Sequence, residues 1–547
     1  MYVLATVAFV VAHWVRVGSV VAVGYSIASA IYNLWLSPLA GYPGPFCARL
    51  SSLPDFYHSL TGDRHLWIAR NHETYGDVIR LRPDALLFRT PQAYRDIFNN
   101  GANVKRSHFY DMMTRNKRDK STLTGTDPDL HAQKRRILNT VFSEKSLRSM
   151  EPILFEHVVR WCDLLGSEDG RNWSPPRKMS EACDYLVLDV LCDLCFGRAV
   201  GTKEPGDNKY REIPHIIAFF LRILYPLGHS PWLEALVWLK PRGLDWALEV
   251  MAPAKVRFLY TFVKESLNHR LELDHDGQRR INDKPGISER QDMLFHLLNA
   301  KDPQTGLPGY TPEALEAEAI MLTIAGSDTT SVIMAGFFFH IVRSPVVYRR
   351  LINEIRTAFA SVEEIKGGRK LMSCQYLRAC VDEAMRITPA GSAELPRIVL
   401  PGGLIIDGNH IPEGTTVGVA HWSFYRNEKY FPDPDVYRPE RWIVDEATDI
   451  TAEDVRKACS SCFPFAAGTT SCAGKPFALL ELYMTIAITF WQYDARLFPG
   501  DTTGAGGKSR RWGRNNPKTF QLFDSYISIR EGPMVQFTRR KETILGE

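Results

Sequence analysis

Cys472 stands in a glycine-punctuated loop, Phe465-Ala466-Ala467-Gly468-Thr469-Thr470-Ser471-Cys472-Ala473-Gly474, directly before Lys475-Pro476-Phe477-Ala478-Leu479-Leu480-Glu481-Leu482, which reads as a helix start. A thiolate at a helix N-terminus feels the helix dipole and free backbone N–H groups, and both favour its ionised form. In that state the sulfur can act as a nucleophile or as the axial ligand of an iron. Ligation of haem iron is the use that pushes electron density toward O–O cleavage. A second chemical segment, Ala325-Gly326-Ser327-Asp328-Thr329-Thr330, lies inside a long apolar run. An acid in a buried helix is costly without a partner or a role, and a glycine there costs about 1 kcal/mol relative to alanine. Taken alone, that segment reads equally well as a helix kink with a satisfied polar cluster. Glu383-Ala384-Met385-Arg386 places an acid and a base three apart on one helix face, where they can pair; such spacing is also common on solvated helices. Tyr437-Arg438-Pro439-Glu440-Arg441-Trp442 supplies a further arginine able to join that pair in a buried network.

The helix that carries Asp328 has clear start signals. Thr311 can cap it, Pro312 suits the first helical position and Glu313 suits the positive end. Apolar residues then run to Phe339, so this helix is expected to be buried nearly all round. Ahead of it, 75–83 and 85–88 predict a short hairpin, followed by a mostly helical tract from 92 to 387 that includes 130–142, 152–165 and 254–273. Short strands return at 404–406, with an Asp407-Gly408 turn, and at 416–420. A last strand pair is expected within 523–537, turning at Glu531-Gly532-Pro533. The predicted fold class is mainly α with small antiparallel β-sheets.

The N-terminus differs in kind from the rest. The 20 residues 17–36 carry no charge, which is long enough for a membrane-spanning helix. A cleaved signal peptide has a shorter apolar core, of about 7–15 residues. Here the run ends in Trp35-Leu36-Ser37-Pro38 and then Tyr42-Pro43-Gly44-Pro45, interfacial aromatics before a proline-rich hinge, which fits an uncleaved anchor. The expected organisation is an anchor at 1–37, a hinge at 38–50 and one catalytic domain at 51–547, since no repeat or low-complexity linker divides the chain after residue 50. Arg16 before the span and Arg49 and Arg64 after it leave its orientation open by charge. A net charge of +4 on 547 residues argues against a nucleic-acid partner. The ten cysteines are scattered, and Cys183, Cys192 and Cys195 fall at helical spacing as small core residues. The pairs Cys192/Cys195 and Cys459/Cys462 lack partner pairs at zinc spacing, and the pattern points to a reducing compartment.

Together, the order and separation of the four motifs resemble those of the cytochrome P450 family, over essentially the whole chain from Tyr42 to Pro533. The resemblance implies a P450-like fold behind a transmembrane helix, and haem b as cofactor with Cys472 as the axial ligand of its iron. It makes Glu383, Arg386 and Arg441 a structural network beneath the haem. Asp328 and Thr329 match the family's acid–alcohol pair, which would deliver protons to dioxygen so that the O–O bond breaks heterolytically. Phe465 resembles the shield of the sulfur, and Gly468 and Gly474 permit the turns around it. His131, in a place often held by Trp, Arg135 and Arg397 match propionate-binding positions. Thr470 stands where the family usually has a basic residue, so it brings a hydroxyl and no charge to the haem; looser haem retention is the expectation. Substrate contacts are expected from 109–124, from 216–239, near Thr323, and from 390–395 and 520–525. The implied activity is that of a monooxygenase acting on a hydrophobic small molecule at the endoplasmic reticulum membrane. It would draw electrons from NADPH-cytochrome P450 reductase, as fungal secondary-metabolite enzymes of the family do. Two rivals are a reductase-independent rearrangement or dehydration on the same fold, which has no need of Asp328-Thr329, and a non-catalytic membrane protein with structural haem or zinc.

Overall fold

A computed structural model of the chain describes residues 2–114, 120–167, 172–283, 292–302 and 304–540. Helix α1 (Tyr2–Ile31) continues as a wider π turn over Tyr32–Leu36. Its stretch Arg16–Leu36 is long and apolar enough to cross a membrane, and it is exposed along most of its length, with Asn33 near its end buried. Arg80 ties the chain on either side of Leu36 to the body. Arg80, fully buried, donates from Nη1 to the Asn33 carbonyl at 2.6 Å, and its backbone N–H donates to the Pro43 carbonyl at 2.7 Å.

Arg80 belongs to a five-stranded sheet built from β1 (Val78–Arg82), β2 (Ala85–Phe88), β3 (Val104–Arg106), β4 (Arg397–Val399) and β5 (Thr416–Val419), in the order β1-β2-β5-β4-β3. The pair β2–β5 is parallel and the other pairs are antiparallel. The register of β3 against β4 sets Arg106 directly opposite Arg397. That single pairing decides the electrostatics of the site.

The helical body comprises α2 (Pro128–Val141), α3 (Glu144–Leu165), α4 (Met179–Phe196), α5 (Ile213–Gly228), α6 (Ala254–Asp283), α7 (Pro312–Ile341), α8 (Gln375–Ile387) and α9 (Lys475–Gln492). Helix α3 starts eight residues before the expected 152, because Ser143 caps it and Pro152 is carried inside the helix. Helix α7 begins as its signals require, with the Thr311 hydroxyl accepting from the Ala314 N–H at 3.2 Å. From Ser331 to Ile341 every residue of α7 is buried. Gly326 has a steric reason to be there: a Cβ at that position would lie 2.7 Å from Leu191 Cδ1 of α4. Cys183, Cys192 and Cys195 of α4 are core residues, and burial pushes all three thiols up, that of Cys195 to about 12. Among the described residues no group of three or more His, Cys, Asp or Glu is arranged to hold a metal ion.

Helix α5 is tied over the body by a buried ionic cluster. Arg64 donates to Asp55 at 2.6 Å and, from two nitrogens, to Glu394 at 2.6 and 2.7 Å, while Tyr225 of α5 donates to Asp524 at 2.8 Å.

The C-terminal strands depart from the expected hairpin. β7 (Phe523–Ser525) and β8 (Ile527–Ile529) pair with each other around Tyr526, whose φ is +70°. β9 (Met534–Arg539) pairs instead with β6 (Tyr493–Leu497) and with Arg177–Lys178. Glu531-Gly532-Pro533 therefore carries the chain from one sheet to another, and the turn falls on a tyrosine. A tyrosine in the left-handed region carries no glycine or asparagine signal, so the sequence pattern pointed to the nearest glycine and proline.

Candidate active site

The Cys472 loop is shaped by two left-handed residues, Ala466 (φ +56°) and Gly468 (φ +62°). A Cβ on Gly468 would sit 1.9 Å from the Phe98 carbonyl oxygen, so only glycine fits that turn. Gly474 is less constrained; a Cβ there would meet Phe142 at 3.8 Å and Cys472 Sγ at 3.9 Å, ordinary contacts. The Cys472 N–H donates to the Phe465 carbonyl at 2.8 Å, and Lys475 lies 5.8 Å from the Phe465 ring centroid. Cys472 keeps an open face, in contrast to the buried cysteines of the core. The N–H groups of Gly474 and Lys475 and the cations Arg135 and Lys475 favour its thiolate, as the helix start predicts. Desolvation by the surrounding protein nevertheless outweighs them and holds the thiol above its ordinary value. Coordination to a metal would remove that proton outright.

Beside this loop, positive charge accumulates. Arg135 of α2 donates to the Ser471 carbonyl, and Arg397 Nη2 donates to Thr470 Oγ1 at 3.0 Å. Arg397 also donates to Tyr110 Oη at 3.3 Å and lies over the Phe98 ring at 4.9 Å. His131 is buried next to them, and its imidazole is pushed down to about 3 by burial and then by Arg106, Arg135 and Arg397. The sequence motifs brought three of these groups together and missed the fourth. Arg106, buried at the end of β3, donates to the carbonyls of Thr122 (2.8 Å) and Gly125 (3.2 Å), and its Nε has no partner. Burial and Arg397 lower it to about 10. Among the described residues no carboxylate pairs with Arg106, Arg135 or Arg397. Buried cations without counter-charges are a binding site for an anion. Thr470, expected to weaken that site, is held by Arg397 and leaves its own O–H free to donate.

On α7, Thr329 Oγ1 donates to the Ala325 carbonyl at 2.8 Å. Asp328 projects to another side of the helix and accepts from Arg530 Nη1 at 2.8 Å. Its carboxyl is pushed up to about 6 by burial, against the opposing pull of Arg530. Glu481 of α9 is fully buried; burial pushes its carboxyl up to about 8, with the Thr330 side chain of α7 as its hydrogen-bond neighbour.

Glu383, Arg386 and Arg441 converge as their spacing suggested. Arg386 grips both Glu383 oxygens at 2.9 and 2.7 Å, and Arg441 Nε donates to Oε1 at 3.2 Å. Trp442 Nε1 and the Arg438 N–H, both at 3.0 Å, complete a shell of donors around one fully buried carboxylate.

An apolar cavity lies along α7, lined by Ala317, Ile320, Met321, Ile324 and Ala325, by Phe220, Leu221 and Leu224 of α5, and by Tyr260 of α6. Met113, Thr114, Ser121, Leu123 and Thr124 close it from the expected 109–124 segment, of which 115–119 lie outside the described residues. Two expectations are corrected here. The C-terminal wall is Tyr526 and Ile527 rather than 520–525, because the hairpin turns at Tyr526. Residues 390–395 are not among those that line this cavity. The wall expected near Thr323 is supplied by Ile320, Met321 and Ile324, while Thr323 itself donates to the Ala319 carbonyl at 2.8 Å from a buried position.

A helical body with an open-faced thiol on a glycine-shaped loop, an anion-binding cluster beside it and an apolar cavity along a buried helix defines a haem-thiolate class of enzyme. The family model for cytochrome P450 matches residues 43–504, and the chain belongs to the cytochrome P450 family of monooxygenases. It is 34% identical over 524 residues to cytochrome P450 monooxygenase AKT7 of Alternaria alternata, covering 94% of this chain and 96% of that relative. Similar values hold for poxM of Penicillium oxalicum (33% over 527 residues; 95% and 94%) and apf7 of Gibberella fujikuroi (32% over 535 residues; 94% and 96%), both also cytochrome P450 monooxygenases. Family membership implies a haem iron cofactor, and the residues present fit one. Cys472 offers an exposed soft donor, Gly468 shapes its loop, and the uncompensated arginines match a group with two carboxylates.

Removing Glu383 would leave Arg386 buried with no counter-charge. Glu383→Ala is therefore expected to cost about 3–5 kcal/mol of stability, read as a lowered urea midpoint of the purified protein. A loss below 1 kcal/mol would show the network to be incidental.

Proposed function

We propose that this chain is a single-pass membrane protein of the endoplasmic reticulum whose cytosolic domain inserts one atom of dioxygen into a hydrophobic small molecule, an intermediate of fungal secondary metabolism. The observation that carries the reading is the carboxylate-free cluster of Arg106, Arg135 and Arg397 adjoining the Cys472 loop. Cys472 would hold the haem iron through its sulfur in this reading. Arg106, Arg135 and Arg397 bind the haem b propionates, with His131 and the Thr470 hydroxyl as neutral donors. Phe465 covers the sulfur, and Gly468 and Gly474 let the loop bend around it. Bound there, haem b supplies the dioxygen chemistry, with electrons from NADPH-cytochrome P450 reductase docked on the face nearest Cys472.

The chain's own residues then do three things. The apolar cavity along α7 binds the substrate and keeps bulk water from it, which suits hydrophobic guests delivered from a membrane. Thr329 and Asp328 hold protons and pass them on for the dioxygen chemistry that haem would supply. Glu383, Arg386 and Arg441 keep the region under the Cys472 loop rigid. The span Arg16–Leu36 anchors the domain, and the clasp of Arg80 on Asn33 and Pro43 fixes how the domain leaves the membrane.

The purified protein, reduced under carbon monoxide, is expected to show a strongly red-shifted Soret band that Cys472→Ala abolishes; a wild type that binds no haem would overturn the reading. Thr329→Ala should keep that band while releasing more hydrogen peroxide per NADPH consumed. An unchanged peroxide yield would remove Thr329 from proton delivery. Arg106→Gln deletes one charge-assisted contact worth about 1.5–3 kcal/mol, so haem should pass to apomyoglobin roughly tenfold faster or more; an unchanged rate would exclude Arg106 from propionate binding.

A further inference from the structure

Arg530 belongs to none of the sequence motifs. It follows β8 immediately, and its side chain is only 5% exposed. Its guanidinium spends its donors on two acids and a hydroxyl: Nη1 reaches Asp328 at 2.8 Å, and Nη2 reaches both Asp184 of α4 and Ser331 Oγ, the latter at 2.7 Å. Ser331 in turn donates to the Ser327 and Asp328 carbonyls at 2.9 and 3.0 Å. One cation therefore serves two buried carboxylates, and the cluster carries surplus negative charge.

The cluster is not sealed. Asp328, Asp184 and Arg530 form the inner wall of a cavity of about 240 Å³, separate from the apolar one along α7. That is ample room for several waters. The outer wall includes Lys178, which pairs with Glu181 and with Glu531, both at 3.1 Å, and the exposed His215 and Arg222 of α5. Successive helical residues point about 100° apart, so Asp328 looks into this polar cavity while Thr329 sits on a different side of α7.

We propose that Arg530 and Asp184 position Asp328 toward the polar cavity, making Arg530 a positioning residue for the proton supply to Thr329. This rests on the reading of Asp328 and Thr329 as the proton-handling pair. The transfer is a relay with no net redox change at the protein: Asp328 gives up its O–H proton toward Thr329 and is reprotonated from cavity water, so the carboxyl is unchanged over a cycle.

The signs are opposed for the two partners. Burial and Asp184 raise Asp328, and Arg530 lowers it. Arg530→Met leaves the raising influences alone, so the Asp328 midpoint should climb by roughly 1–3 units, and Asp184→Asn should lower it by a similar amount. The measurement is infrared titration of the full-length protein in lipid nanodiscs, following the protonated-carboxyl stretch that disappears in Asp328→Asn. Opposite shifts in the two variants, with Arg530→Lys staying near wild type, support the proposal. Shifts in the same direction, or none, would mean that the site merely loosens and would overturn it. If Arg530→Met fails to fold, Asp184→Asn and Arg530→Lys still decide the sign. A second readout is the pH profile of oxygen consumption driven by NADPH and reductase, with no organic substrate added. Its alkaline limb should move up in Arg530→Met and down in Asp184→Asn; infrared shifts without these movements would overturn the positioning role. A wild type lacking the carbon monoxide band would instead sink the monooxygenase reading, and the infrared result would still stand by itself.

Discussion

Much of this structure is arranged around a repulsion. Arg106, Arg135 and Arg397 gather beside the Cys472 loop without a carboxylate partner among the described residues, and β-sheet register places two of them face to face. Left alone, such a cluster opposes folding. Aromatic rings soften it, with Arg397 over Phe98 and both Arg106 and Arg397 over Tyr110 at 5.6 and 5.8 Å. Backbone carbonyls of Thr122, Gly125 and Ser471 take up part of the remaining hydrogen-bonding capacity. His131 stays neutral in that field. What remains is a standing demand for a bound dianion, and binding a ligand that the unfolded chain cannot hold adds stability by mass action. Where Thr470 brings no charge, Arg106 adds a third guanidinium from a different strand.

The opposite imbalance sits across α7. Asp328 and Asp184 share one guanidinium, and Glu481 is buried with no cation beside it. Asp328 of α7 thus belongs to a cluster in which acids outnumber cations, the reverse of the balance among the arginines beside the Cys472 loop. The close contact of α7 with α4 at Gly326 brings Asp184 within reach of the guanidinium that holds Asp328.

Local patterns made part of this legible. The Cys472 loop, the Thr311 cap and the Glu383–Arg386 pair are set within a few residues, and their spacing alone implies the geometry seen. The site's remaining residues depend on pairings distant in sequence. Arg106 counts only because β3 runs against β4, almost 300 residues later, and nothing in Val104-Lys105-Arg106 signals it. Arg530 is equally silent, since its partners lie on α4 and α7. Tyr526 misled the strand assignment because its left-handed turn uses a residue type that seldom adopts it. Pro152 misled a helix boundary, because proline more often marks the first turn than the interior of a helix.

The C-terminal hairpin gathers these threads. Tyr526 at its tip lines the apolar cavity, and Arg530, four residues on, holds Asp328 at the polar one. The hairpin is short and strongly bent, and Ser528 anchors it to the chain before β4 by donating its hydroxyl to the Pro389 carbonyl at 2.8 Å and its N–H to the Ala390 carbonyl at 2.7 Å. The two cavities therefore share one short ribbon of chain, with Tyr526 lining the apolar one and Arg530 the polar one, so the packing that fixes the hairpin fixes a wall of each.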